Sequence, residues 1–93
     1  GGLRTFVRSF FEAAGHGDWD RVAPMLRMSE VPGVLRDFLA GAELIEVGAP
    51  HQSGQYPGWL VPYTIRLRNG NLVSKDLAVR SNDSGRLYVD GGI

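Results

Sequence analysis

The chain has 93 residues, and its ten basic and ten acidic side chains give a formal net charge of zero. This length predicts a single domain, residues 1–93, that buries roughly 60 to 65 % of the surface of its unfolded chain. Zero net charge disfavours nucleic acid and anionic membrane surfaces as partners, because both attract a basic surface.

The composition also limits the chemistry. Because cysteine is absent, disulfides, thiolate nucleophiles and cysteine-based zinc sites are excluded. The two histidines, His16 and His51, are far apart in sequence, and we expect neither a metal site nor a cofactor. No apolar run approaches the roughly 20 residues of a membrane span, so no membrane association is expected.

The chain opens with an amphipathic pattern. Apolar residues recur at helical spacing from Leu3 to Ala14, which predicts a helix with one buried face that ends at Gly15. Phe10 belongs to this face. A phenylalanine there packs on a sheet and can also form the floor of a pocket.

Two shorter helices are predicted next. Asp18 is placed to N-cap a helix that starts at Trp19 and ends near Met28. Ser29 is placed to cap a third helix that stops at Gly41. The predicted buried side of the third helix consists of Val31, Val34, Leu35, Phe38 and Leu39.

Four strands follow. Residues 42–47 are predicted as the first, and residues 48–58, with two prolines and three glycines, as a loop. Asn69-Gly70 predicts a two-residue type I′ hairpin turn, and residues 82–85 predict a second turn that leads into a last strand over residues 86–90. Three helices followed by an antiparallel meander predict an α+β fold.

The two-residue turn at Asn69-Gly70 sets the register of the first hairpin, with Tyr63 opposite Asp76. In the second hairpin, Ser81 is expected opposite Arg86. Side chains then alternate between two faces. The first face is expected to carry Trp59, Val61, Tyr63, Ile65, Ser74, Asp76, Ala78, Arg80, Leu87 and Val89. The second is expected to carry Leu60, Pro62, Thr64, Arg66, Val73, Lys75, Leu77, Val79, Tyr88 and Asp90.

Four stretches together carry a family resemblance. These are the helix over residues 3–14, the link Gly17-Asp18-Trp19-Asp20, the strand pair joined at Arg68-Asn69-Gly70, and the closing residues 85–92. They resemble the cystatin-like α+β roll of the nuclear transport factor two-like superfamily, the polyketide cyclase and ketosteroid isomerase-like fold. The resemblance implies helices packed on a curved antiparallel sheet in a cone-shaped roll, whose open end holds a pocket in isomerases, dehydratases, polyketide cyclases and non-catalytic binders.

Two departures limit this resemblance. The chain is short for the superfamily and has no predicted strand between its second and third helices. The ketosteroid isomerases of this fold carry a tyrosine on the first helix, whereas this chain has Phe10 and Phe11 there. Their activity is therefore not transferred to this chain.

The first face offers a candidate ligand site, with a carboxylate among apolar side chains. Burial of a carboxylate is costly unless it is paired, so Asp76 is a candidate general base or polar anchor and Tyr63 a candidate hydrogen-bond donor. The alternative is that Tyr63 and Arg80 simply satisfy Asp76 in a pocket filled by side chains. The candidate ligand-binding residues are Trp59, Tyr63, Ser74, Asp76, Arg80 and Phe10.

The second face offers a candidate interface. Its apolar side chains are surrounded by charged ones, which suits a two-fold homodimer, and sheet-to-sheet dimers recur in proteins that the chain resembles. The predicted interface residues are Leu60, Pro62, Leu77, Val79 and Tyr88.

Three functions are compatible with these patterns. The first is a non-catalytic, dimeric domain that binds a small apolar molecule. The second is a lyase or isomerase that acts on a small carbonyl compound with Asp76 and Tyr63. The third is an accessory or oligomerisation module of a longer exported protein. A cavity closed by Phe10, Phe38 and Trp59 favours the third, and an open cavity that reaches Asp76 favours the second.

Overall fold

The computed structural model describes the whole chain, from Gly1 to Ile93, as three helices packed on one four-stranded antiparallel sheet. The predicted α+β class is confirmed. The strands are ordered β1-β2-β3-β4. The elements are α1 (Gly2–Gly15), α2 (Trp19–Met25), α3 (Gly33–Leu39), β1 (Glu43–Val47), β2 (Trp59–Arg66), β3 (Leu72–Ser81) and β4 (Leu87–Gly91).

Helix α1 forms over the predicted residues and lies against β1 and β2. Its C-terminal Gly15 accepts a hydrogen bond from the Gly41 N–H at 2.9 Å. A Cβ at Gly15 would collide with the carbonyl oxygen of Ala42, so glycine is required for this close approach.

No helix of the structure is long and apolar enough to cross a bilayer.

Helices α2 and α3 differ from the predictions at their ends. Asp18 occupies the N-cap position of α2, but its side chain makes no capping hydrogen bond. Helix α3 starts after Pro32 rather than at Ser29, because the residue before a proline is disfavoured in helical conformation and Val31 precedes it. The predicted burial of Val34 is wrong, since this side chain is 84 % exposed.

The predicted two-residue turn at Asn69-Gly70 is wrong by one residue. The Leu67 N–H donates to the Asn71 carbonyl at 2.7 Å, and the Gly70 N–H donates to the Leu67 carbonyl at 2.8 Å. Gly70 has a φ of 93°, whereas Asn69 lacks the positive φ that a type I′ turn requires. The connection is therefore a three-residue loop with glycine in the left-handed position.

The second hairpin contains the same shift. The Gly85 N–H donates to the Asn82 carbonyl at 2.9 Å, and Gly85 has a φ of 82°. Ser81 consequently pairs with Leu87 rather than with Arg86. In both hairpins, a glycine that tolerates positive φ adds one residue to the loop.

Because of these shifts, the residues of β3 lie on the face of the sheet opposite to the predicted one. Tyr63 pairs with Lys75, and Asp76 pairs with Pro62. Leu77 and Val79 thus face the helices and are completely buried within the single chain, which excludes both from the predicted dimer interface. We call the sheet face turned away from the helices the outer face; it carries Leu60, Pro62, Thr64, Arg66, Ser74, Asp76, Ala78, Arg80 and Tyr88.

Candidate functional site

The space between α1 and the sheet is filled by side chains. Phe10 has no exposed surface, and its ring makes an edge contact with Phe11 at 5.1 Å between centroids. The centroid of the Phe11 ring lies 4.4 Å from the centroid of the Tyr63 ring. Ile65 and Leu77 of the sheet complete this part of the core. Phe10 is thus placed in the hydrophobic core, and the main depressions of the surface are open grooves.

Tyr63 is a core residue with a polar end. Only 2 % of its surface is exposed, and its hydroxyl donates to the Gly92 carbonyl at 2.6 Å. Burial raises the pKa of Tyr63 to about 12. Gly92 has a φ of 93°, and a Cβ there would collide with the Asp76 carbonyl oxygen, so only glycine lets the C-terminus pack this closely. The Tyr63 hydroxyl therefore anchors the C-terminal segment.

Stability is expected to fall in alkaline solution because of Tyr63. Its neutral form is favoured by burial, so the stabilisation is complete below the unfolded-state pKa of about 10 and is lost as pH rises towards 12. Tyr63→Phe should lower the free energy of unfolding at pH 8 by about 1 kcal/mol through the lost hydrogen bond. Urea denaturation from pH 8 to 11 measures both effects. An equally steep decline in the Tyr63→Phe protein would contradict the assignment.

Asp76 lies on the outer face, where it meets His51. The His51 Nε2 atom is 3.6 Å from the Asp76 Oδ2 atom, and about half of each side chain is exposed. His51 is held there because its N–H and carbonyl both hydrogen-bond to Leu60, at 2.9 and 2.8 Å. Nothing in the local sequence indicated this partner, since the loop returns to pair with β2 only in the folded chain.

An open depression of about 250 Å³ lies on the outer face beside Asp76. The Thr64 and Ser74 hydroxyls hydrogen-bond to each other at 2.7 Å between the two strands. We call this site the outer depression; it is lined by Glu46, Gly48, Pro62, Tyr63, Thr64, Ser74, Lys75 and Asp76. The carboxylates of Glu46 and Asp76, the hydroxyls of Thr64 and Ser74 and the Lys75 ammonium give it acceptor and donor groups.

The predicted ligand-binding residues do not form a single pocket. Ser74 and Asp76 share the outer depression, and Tyr63 lines it while its hydroxyl is bound to Gly92. Arg80 is farther along the outer face, beside Gly58. Trp59 lies on the helix-facing side at the start of β2 and is 38 % exposed.

Sequence reasoning did not identify Tyr56 as a site residue. Its hydroxyl donates to the Asp90 carboxylate at 2.8 Å, which ties the long loop between β1 and β2 to β4. Burial and this hydrogen bond raise the pKa of Tyr56 to about 12. The loop is thereby held against the outer face.

The structure contains no cluster of three or more histidine, aspartate or glutamate side chains that could hold a metal ion. Comparison of the chain with protein-family models, with curated proteins and with solved structures found no match. The resemblance to the nuclear transport factor two-like superfamily stays a prediction.

Proposed function

We propose that the chain is a non-catalytic accessory domain, an α+β roll of the nuclear transport factor two-like type, that forms a homodimer through its outer face. The filled core is the observation that carries this proposal. With Phe10 and Tyr63 packed between the helices and the sheet, an internal small-molecule pocket has no room, and the accessible polar groups lie outside.

The character of the outer face supports a second copy as the partner. Side-chain pairs already bridge its strands, among them Arg66 with Glu43 at 2.9 Å. Partly buried Leu60, Pro62 and Ala78 lie among them. A two-fold interface requires a self-complementary surface, and a face that mixes apolar side chains with charges of both signs meets that need.

A dimer is the expected result of light scattering. The chain mass is 10.2 kDa, so a dimer should give about 20 kDa at micromolar concentration, twice the chain mass. Ala78→Glu places a carboxylate in the proposed contact and should shift the mass to that of the monomer. The matched control is Val34→Glu, on exposed α3, which should leave the dimer intact. A monomer mass at micromolar concentration would refute the proposal.

The second candidate function is catalysis on a small carbonyl compound in the outer depression. It is favoured by the open access to Asp76, whose carboxylate is accessible as a general base, and by His51 at 3.6 Å. Tyr63 is the donor in this proposal, although its hydroxyl would first have to leave the Gly92 carbonyl. His51 contacts the carboxylate directly and is the more accessible donor, because its side chain is exposed whereas Tyr63 is buried.

Hydrogen-deuterium exchange next to a carbonyl group tests this second candidate. Base catalysis by Asp76 predicts that the protein accelerates exchange at the α-carbon of small ketones in deuterated water, followed by NMR. Asp76→Asn should lower that rate by about 100-fold or more. Asp83→Asn, at an exposed turn, is the matched control. Equal rates in the wild type and in Asp76→Asn would exclude Asp76 from any such mechanism.

A further inference from the structure

Strand β4 is an edge of the sheet, and its outer side carries free main-chain groups. The Asn82 N–H donates to the Arg86 carbonyl, so these two residues form a hydrogen-bonded pair. Along an antiparallel ladder, hydrogen-bonded pairs alternate with pairs that do not hydrogen-bond to each other. By this alternation, Leu87 and Val89 direct their N–H and C=O groups away from β3. No hydrogen bond from outside the sheet reaches them.

The opposite edge, β1, is more protected. The Arg4 guanidinium donates to the Val47 carbonyl at 2.9 Å, and a bulge between Leu44 and Glu46 interrupts the strand. Bulges and covering side chains are the usual protection of sheet edges against further pairing. Strand β4 also has an irregularity, between the pairs Ala78–Gly91 and Val79–Val89, but no side chain bonds to the main chain of Leu87 or Val89 in the way that Arg4 bonds to Val47.

A groove runs along β4, between this strand and the segment of α2 that faces it. It comprises two separate depressions, of about 420 and 560 Å³, that have no lining residue in common. We call it the β4 groove; it is lined by Phe6, Arg21, Pro24, Met25, Leu26, Arg27, Met28, Arg86, Leu87, Tyr88, Val89, Asp90, Gly91, Gly92 and Ile93. Its apolar side chains come from α1, from α2 and the residues that follow it, and from β4 and the residues that follow it.

The charged residues of the β4 groove are mostly basic. The ion pairs of the structure are formed elsewhere, so Arg21, Arg27 and Arg86 have no acidic partner. The one acid that lines the groove, Asp90, accepts the hydrogen bond from Tyr56. The groove thus has a net positive charge beside an apolar floor.

Arg27 contacts the side chain of Tyr88 on β4. It is the one non-glycine residue with a positive φ, 57°, and its guanidinium lies 4.6 Å from the centroid of the Tyr88 ring. Because Arg27 is exposed, this cation–π contact is weak and can be exchanged for a carboxylate partner.

We propose that the β4 groove binds an extended peptide segment in which apolar and acidic residues alternate, and that the segment adds to β4 as a fifth strand. Its backbone pairs with Leu87 and Val89. Its apolar side chains face Met25 and Leu26. Its acidic side chains pair with Arg27, which lies over Tyr88, and with Arg86, which lies beside Leu87. This site shares Tyr88 with the outer face, so a bound segment would lie next to the proposed dimer contact.

A synthetic heptapeptide of alternating valine and glutamate, labelled with fluorescein, is the probe. Anisotropy titration of the intact protein should give saturable binding. A valine-lysine peptide should bind roughly tenfold more weakly, because it meets three unpaired arginines. A valine-glutamate peptide with N-methylated amides should lose binding by a similar factor, because it cannot complete the ladder.

Protein variants and amide exchange locate the site. Arg27→Gln with Arg86→Gln should weaken binding of the glutamate peptide roughly fivefold or more, while Arg8→Gln, an exposed arginine on α1, should not change it. Bound peptide should also slow amide exchange at Leu87 and Val89. Equal affinity for the three peptides, or unchanged exchange at these two amides, would overturn the proposal. Dissociation of a dimer by the peptide would assign the edge to a second copy and overturn it as well.

Discussion

Replacement of Phe10 by alanine is expected to destabilise the domain by about 3 to 5 kcal/mol, the usual cost of deleting a buried phenylalanine. Phe10 is completely buried and is the largest of the fully buried side chains. The variant loses the edge contact with Phe11 and leaves a cavity between α1 and the sheet. Domains are stable by only about 5 to 15 kcal/mol, so the loss would be a large part of the total.

Urea denaturation followed by tryptophan fluorescence measures this effect, since Trp19 and Trp59 lie on different elements. Phe38→Ala on α3 is the matched control, because Phe38 is only partly buried and should cost less. If Phe10→Ala lost less than about 1 kcal/mol, Phe10 would border a void or a ligand pocket, and the filled core that supports the accessory-domain proposal would be contradicted.

Replacement of Leu77 by alanine is expected to cost about 2 to 5 kcal/mol, whereas Leu72→Ala on the same strand should cost less than about 1 kcal/mol. Leu77 has no exposed surface, and Leu72 is 62 % exposed. The two variants delete the same atoms from one strand, so the difference reports the face on which each residue lies.

This pair of variants also tests the register. A two-residue turn at Asn69-Gly70 would place Leu77 on the outer face, where truncation costs little in the monomer. Denaturation midpoints of the two variants, measured at low concentration so that a dimer does not contribute, give the comparison. Similar midpoints would argue for the shorter turn and return Asp76 to the helix-facing side.

The positions of the helices and strands were largely predictable. Apolar residues at helical spacing predicted α1 to within a residue at each end, because burial of one face stabilises a helix. The alternation of side chains between two faces in residues 59–66 predicted the strand β2. The late start of α3 could also have been predicted from Pro32, since proline disfavours helical conformation in the residue before it.

The register was harder to predict because Asn-Gly is compatible with two loop lengths. Glycine at position 70 provides a positive φ either in a type I′ turn or in the longer loop that forms. Burial selects between them, because the longer loop places Leu77 and Val79 in the core with Val61. The apolar residues Leu77 and Val79, two positions apart in β3, are the sequence pattern that indicates the correct pairing.

The sequence by itself determined the α+β class and the order of the elements, because periodicity and glycine or proline breakers act over a few residues. Tertiary structure decided which side chains meet. A one-residue shift of the register moves every side chain of a strand to the other face of the sheet. Asp76 therefore lies beside His51 on the outer face, and Leu77 lies in the core. The Tyr63 contact with Gly92 likewise depends on the packing of residues far apart in the chain, for which no local pattern exists.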